Sequence, residues 1–350
     1  MNSAQAMQTT QDVPPQAAML QMISNFWVSQ MLFVAAKLGL ADQLKDQPKT
    51  VAELAQATGT HAPSLYRVLR GLASVGIFAE DRQAKDGQRR FASTPLAETL
   101  RRDAPGSLRA FAMAELGQEH FIAWGNLLHS VKTGEIAFDS HFGQPVWEYY
   151  AAHPEDAEVF NDAMTGMTEM VNGAVTSAYD FSGFGKIVDI GGGHGALLAA
   201  ILKANPAARG VLFDLPHVTE GAAARLAAEG VSNRCDIASG DFFKAVTPGG
   251  DAYVMKFIIH DWDDEKSVAI MKNIYRAMAE GGKLILIEQI VPEDSSPSFA
   301  KFIDINMLVM TGGRERTEKE FAELFSAAGF RLTRVVPTKS PFSVIEAVRV

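Results

Sequence analysis

One cysteine, Cys235, stands in 350 residues, so neither an internal disulfide framework nor a cysteine-based zinc site is available. Its neighbours Arg234 and Asp236 give it no nucleophilic setting, and the thiol reads as structural. Basic residues are in deficit, 32 Lys and Arg against 41 Asp and Glu, for a net charge of −9. Phosphate contacts need clustered cations, so this balance argues against a bulk nucleic-acid binder. A secretory signal is missing as well: Met1 to Gln16 is polar and has no basic n-region. Charge is absent altogether from Val13 to Ala36, which raises the question of a membrane span. Gln16, Gln21, Ser24, Asn25, Ser29 and Gln30 interrupt that stretch, whereas a spanning helix needs about 20 mostly apolar residues. The expectation is a helix buried at a subunit interface, in a soluble cytoplasmic protein with no membrane partner.

What is present is a core. Hydrophobic residues make up 47% and charged residues 21%, and the length suits two compact units. Residues 1–15 read as a loose tail. Residues 17–38 read as a helix, with Leu20, Ile23, Trp27 and Val34 along one side, that something must cover. Thr50 starts a helix that Gly59 stops. A second helix follows, then IFAED, a polar tip (RQAKDGQRR) and FASTP. Helix, turn, helix and β wing make a winged-helix pattern over residues 16–105. Residues 106–180 are helical with aromatic punctuation. From 181 to 350 short apolar runs alternate with helical segments, which predicts an α/β, doubly wound, Rossmann-like parallel sheet. The last two strands are joined only by PTKSP, too short for a crossover, so the last strand is expected to be antiparallel.

The sharpest motif is Val188-Asp189-Ile190-Gly191-Gly192-Gly193-His194-Gly195, at the end of the first strand of that sheet. Glycines there let a ligand approach the backbone. Asp214, ending the second strand, can accept hydrogen bonds from both ribose hydroxyls. The spacing G-x-G-x-G differs from the pyrophosphate-seating G-x-G-x-x-G, and Asp189 beside it disfavours a diphosphate. An acidic loop suits S-adenosylmethionine (SAM), which carries an ammonium and a sulfonium and no phosphate. The third strand ends Ser239-Gly240-Asp241-Phe242-Phe243, where Asp241 can take an adenine amino group and Phe242 can lie against the ring; a turn aspartate and a core phenylalanine are the plainer alternative.

The fourth strand ends Lys256-Phe257-Ile258-Ile259-His260-Asp261-Trp262, which puts His260 in the same crevice. Methylating a hydroxyl requires its proton to leave as the oxygen attacks, and imidazole suits that near neutral pH. Asp263, Asp264 and Glu265 occupy a helix N-terminus, where negative charge is favourable, and no metal is expected. Glu288 lies in an apolar strand and needs a partner. Glu315, in a glycine loop, reads by itself as a surface charge paired with an arginine.

VDIGGGHG, FDLPHV, GDFF, MKFIIHDWDDE and GGRERTEKEF, in that order, resemble the caffeic acid/flavonoid-type plant O-methyltransferases. They resemble equally the bacterial O-methyltransferases of aromatic natural-product pathways and the hydroxyindole O-methyltransferases. The likeness runs from about residue 17 to 350. It implies His260 as general base, oriented by Glu288 and Glu315. It implies SAM contacts at Gly191, Gly193, Asp214, Asp241, Phe242, Lys256 and Trp262, beside Asp189. Phe160, Met164, Met167, Asn306 and Met310 would line the pocket of a small phenolic or quinone-type acceptor. Plant members often carry His where Met167 stands and a polar residue where Met310 stands, which blocks transfer of any plant substrate. The winged helix would be a homodimerisation domain, which accounts for the uncharged helix.

Two other readings compete. One is a family member that binds SAM but runs decarboxylation, hydroxylation or N-methylation; loss of the base is the usual hint of such drift, and His260 is present. The other is a transcription regulator, since Lys49 to Arg102 carries nine basic and five acidic residues. Its would-be recognition helix offers only Arg67 and Arg70 as long donors, unlike a major-groove reader.

Overall fold

A computed structural model describes residues 13–81 and 88–350. Most of the expected tail and most of the expected wing tip lie outside the described residues. The chain divides into two compact units, one of residues 1–118 with 158–163, the other of 119–157 with 164–350.

In the first unit the helix Pro15–Lys37 has no charge before Lys37 and packs its C-terminal half inward, burying Ala35 and Ala36. Gly71 makes room for it: a Cβ there would lie 2.6 Å from Met31 Sδ. Its N-terminal half stays open, with Leu20, Met22, Ile23 and Trp27 about 60% exposed. Among the described residues it is the one helix long and apolar enough to cross a membrane. Thr50 caps the helix Val51–Thr58 with a reciprocal Glu53 bond, and Gly59, in the left-handed region, ends it. The helix Ala62–Ser74 follows. Strands β1 (Lys49–Thr50), β2 (Phe78–Asp81) and β3 (Arg90–Ser93) form an antiparallel sheet in the order β1-β3-β2. Leu40, Leu54, Leu69, Leu72, Phe78 and Phe91 fill the core between these helices and the sheet.

The second unit is built on β4 (Lys186–Ile190), β5 (Arg209–Asp214), β6 (Cys235–Ser239), β7 (Ala252–Lys256), β8 (Lys283–Glu288), β9 (Phe330–Pro337) and β10 (Ser343–Arg349). The sheet order is β6-β5-β4-β7-β8-β10-β9; only β10 runs antiparallel, to both neighbours, as the short PTKSP link requires. Helices cover both faces: Leu197, Leu198, Ile201 and Leu202 pack on one, Ile270, Met271, Ile274, Phe321 and Phe325 on the other. The strand order turns back between β4 and β7, so their C-terminal ends open the crevice where α/β sheets bind ligands. Two helical segments differ from expectation. The expected 217–229 helix breaks into Pro216–Thr219 and Ala222–Ala228, with Gly221 between them against the His194 ring. A helix at Ala300–Met310 was not legible; it carries both Asn306 and Met310.

Candidate active site

The glycine loop after β4 is shaped by left-handed φ angles, 67° at Gly191, 58° at Gly193 and 80° at Gly195. Close packing adds a second demand: a Cβ on Gly191 would lie 2.5 Å from Ile258 Cδ1, and one on Gly192 2.6 Å from Asp189 Oδ2. Asp189 is buried with that Oδ2 unpartnered. Burial pushes its carboxyl up to about 7, against the pull of Lys256. Asp214 is already engaged: Oδ2 accepts from Gly193 N at 2.8 Å and Oδ1 from Leu215 N at 2.7 Å. It therefore holds the loop, and each oxygen keeps a lone pair for a ligand. Asp214→Ala is expected to weaken cofactor binding and to loosen the loop. Calorimetry with Asp214→Asn beside it checks this, and unchanged affinity in both variants would leave Asp214 a turn residue.

Lys256, at the end of β7, is half-buried. Its Nζ donates to Thr168 Oγ1 at 2.6 Å and lies 3.9 Å from the Phe257 ring centre. Burial pushes the ammonium down to about 8, while Asp189 and Glu288 pull the other way. On the opposite rim, Phe242 lies 3.9 Å from where a Gly191 Cβ would stand, and its ring meets Trp262 edge-on at 6.2 Å. Asp241 forms a turn, accepting from Phe243 N at 2.9 Å, with Lys244 Nζ at 3.3 Å. The turn is gripped from below by buried Asn273, whose Nδ2 donates to the carbonyls of Phe242 and Phe243 at 2.8 and 2.9 Å.

Past β7 the chain bends at Phe257, the one non-glycine residue with positive φ (58°) among the described residues. A left-handed residue costs roughly 1–2 kcal/mol. The bend turns two successive amides inward, and Glu288 Oε1 accepts from Ile258 N at 3.1 Å and Ile259 N at 2.9 Å. Packing holds the bend, because Phe257 lies 4.2 Å from the Phe342 ring. A short 3₁₀ turn, Ile259–Asp261, then presents His260.

Glu315 Oε1 bonds His260 Nδ1 at 2.8 Å, and Glu288 Oε2 lies 3.8 Å from the same nitrogen. Far from being a surface charge, the Glu315 side chain is fully buried. Its backbone N donates to Asp304 Oδ1 at 2.9 Å. Gly313 lets this loop touch the turn: a Cβ there would lie 1.9 Å from the His260 carbonyl oxygen. Burial alone would lower the His260 pKa, but Glu288, Asp261 and Glu315 overcome it and raise it to about 10. Burial lifts Glu288 above the usual carboxylate range and Asp261 to about 6, with His260 opposing both. Nε2 makes no hydrogen bond to the described residues; Asp261 Oδ1 stands 3.7 Å from it. The arrangement fixes one ring nitrogen and leaves the other without a hydrogen bond among the described residues.

Of the expected acceptor residues, Met164 and Met167 are half-buried on the helix Pro154–Ala178, and Met167 packs against the sheet core. Asn306 is buried with Oδ1 accepting from Trp124 Nε1 at 2.8 Å, and Met310 is buried beside it on the Ala300–Met310 helix. Phe160, half-buried, falls within residues 158–163 of the first unit.

The O-methyltransferase domain family matches residues 124–331, and the O-methyltransferase dimerisation domain family matches 20–103. The chain belongs to the O-methyltransferase family. This methyltransferase is 49% identical over 335 residues to a phenazine O-methyltransferase of Lysobacter antibioticus, with 96% of each chain covered. It is 38% identical over 328 residues to a mitomycin biosynthesis 6-O-methyltransferase of Streptomyces lavendulae, with 93% of each covered. The crystal structure of human N-acetylserotonin methyltransferase in complex with SAM superposes with a TM-score of 0.89 at 27% identity, over 97% of this chain and 99% of that one. Within the methyltransferase, Phe257, Asn273, Asp304, Gly313 and Arg316 shape the site, and none of them was singled out from the sequence. Only Gly313 left a visible signal, the Gly312-Gly313 pair.

Proposed function

We propose that this O-methyltransferase moves the methyl group of SAM to a hydroxyl of a small aromatic acceptor, with His260 taking up the hydroxyl proton. The observation that carries this reading is the divided imidazole: Nδ1 is fixed by Glu315 at 2.8 Å while Nε2 is free of hydrogen bonds to the described residues. The residues present suit the cofactor. Asp189 offers an unpartnered buried oxygen, Asp214 has lone pairs to spare, and the glycine loop carries no side chain that would fill the cradle. Gly191, Gly193, Asp214, Asp241, Phe242, Lys256 and Trp262 would hold it. When bound, SAM supplies an electrophilic methyl on a positively charged sulfur.

The chain's own residues then manage one proton. Neutral His260 beside a phenol and protonated His260 beside a phenolate carry the same charge, so the ion-pair form is the one the surrounding carboxylates favour. Glu288 and Glu315 stabilise the imidazolium; Met164, Met167, Asn306 and Met310 line the acceptor. We read residues 16–105 as the dimerisation module, 106–180 as the helices supplying pocket residues and 181–350 as the catalytic domain. The matched dimerisation domain and the open apolar face of the helix Pro15–Lys37 support a homodimer.

A screen of phenolic and quinone-type acceptors with labelled SAM, followed by product mass, tests the reaction. Its pH profile tests the base. With His260 near 10, kcat/KM for an acceptor whose hydroxyl titrates at about 7 should be flat from about 7 to about 10 and fall above, as the imidazolium is lost. An unactivated phenol, of pKa about 10, should instead show a rate rising tenfold per pH unit from neutrality. A break near 6.5, the ordinary histidine value, would overturn the protonated ground state.

A further inference from the structure

We propose that Arg316 is a positioning residue of the reaction, a clamp that ties both sides of the His260 turn to the Glu315 loop and so sets the His260–Glu315 hydrogen bond. The proposal rests on the reading of His260 as proton acceptor. Arg316 is among the largest fully buried side chains, at 1% exposure. A guanidinium has five N–H donors, and a buried cation is costly unless its donors are matched.

Here all five are used. Nε and Nη2 donate to Asp264 Oδ1 at 3.0 and 2.7 Å, and Nη2 donates again to the Trp262 carbonyl at 3.0 Å. Nη1 donates to the carbonyls of Ile259 at 3.1 Å and Arg314 at 3.3 Å. Ile259 and Trp262 bracket His260, so one rigid plane reads the turn on both sides of the imidazole. The backbone completes the tie: Arg314 N donates to the His260 carbonyl at 2.8 Å, and Val291 N donates to the Arg316 carbonyl at 3.0 Å. Both neighbours of Glu315 are thus anchored, one to the turn and the other to the turn and the strand-end segment after β8. A planar fork is suited to this, and the three donors of a lysine ammonium are not.

Arg316→Met is expected to lower turnover about 10–100-fold through misplacement of the pair, with SAM affinity within about threefold, and Arg316→Lys should not restore it. Two readouts separate positioning from mere stabilisation. In a double-mutant cycle with Glu315→Ala, the loss on Arg316→Met should shrink to within about threefold, because the acceptor of the bond it serves is already gone. The His260 imidazole, followed by NMR, should titrate lower in Arg316→Lys, which keeps the positive charge and loses the planar fork. It is faced by Glu288, Glu315 and Asp261, with Lys256 near Glu288, Asp304 behind Glu315 and the cation at position 316 beyond the Ile259 and Trp262 carbonyls; with that charge kept, a lower titration reads the loosened Glu315 contact. Should Arg316→Met not fold, Asp264→Ala removes the exposed acceptor of two of the five bonds and should shift turnover and titration in the same direction, by less. Losses that multiply with Glu315→Ala, with an unmoved His260 titration, overturn the proposal. An active His260→Ala overturns the base reading instead, while the imidazole titration still reports on the clamp.

Discussion

Replacing His260 with alanine is expected to cut turnover by about 10²–10⁴-fold while SAM affinity stays nearly unchanged. One ring nitrogen, Nδ1, is held by Glu315 at 2.8 Å, and Nε2 has no hydrogen bond to the described residues, which suits the proposed base. Alignment of oxygen, carbon and sulfur supplies much of the remaining acceleration, so a residual rate survives the mutation. Glu288→Gln and Glu315→Gln should fall between wild type and His260→Ala, because each removes part of the field that stabilises the imidazolium. Glu288 has the larger structural duty, since its Oε1 also accepts the amides of Ile258 and Ile259. An acceptor already ionised at the assay pH should be partly rescued in His260→Ala. Near-normal methylation of an un-ionised phenol by that variant would sink the base assignment.

Gly313→Ala should be nearly as damaging, although Gly313 carries no chemistry. Its added carbon would meet the His260 carbonyl oxygen at 1.9 Å and the Asp261 carbonyl carbon at 2.4 Å. Neither is the end of a flexible side chain, so the loop must retreat from the turn and take Glu315 with it. A displacement of about 1 Å can cost about 10²-fold in rate, and overpacking costs roughly 1–3 kcal/mol of stability. Steady-state kinetics and a thermal melt together check this. Gly191 of the cofactor loop packs against Ile258 and Gly192 against Leu212 and Asp189, so SAM should bind as before; wild-type turnover in Gly313→Ala would show that the Glu315 loop is not closely packed on the turn.

What the sequence determined by itself was whatever is written in local spacing. Alternating apolar runs and helical periods gave the strands β4 to β10, and the brevity of PTKSP gave the reversed direction of β10. Thr50 and Gly59 bounded a helix through cap chemistry that operates within four residues. The glycine loop, the strand-end Asp214 and His260 were legible because strand ends line the crevice of such a sheet. The segment Ala300–Met310 escaped because its polar residues, Lys301, Asp304 and Asn306, fall among apolar ones without a clear stripe.

Only the tertiary structure decided which of these residues meet. Glu315 looks like a loop carboxylate until a contact 55 residues away in sequence buries it against His260. Arg316 looks like a surface cation until the turn that carries His260 closes over it. The left-handed bend at Phe257 contradicts its own residue preference and persists because Glu288 collects the amides it exposes and Phe342 covers its ring. The reason is physical: periodicity and capping act over one or two turns of chain, whereas a buried charge is tolerable only once its partners, on other strands, have been brought to it.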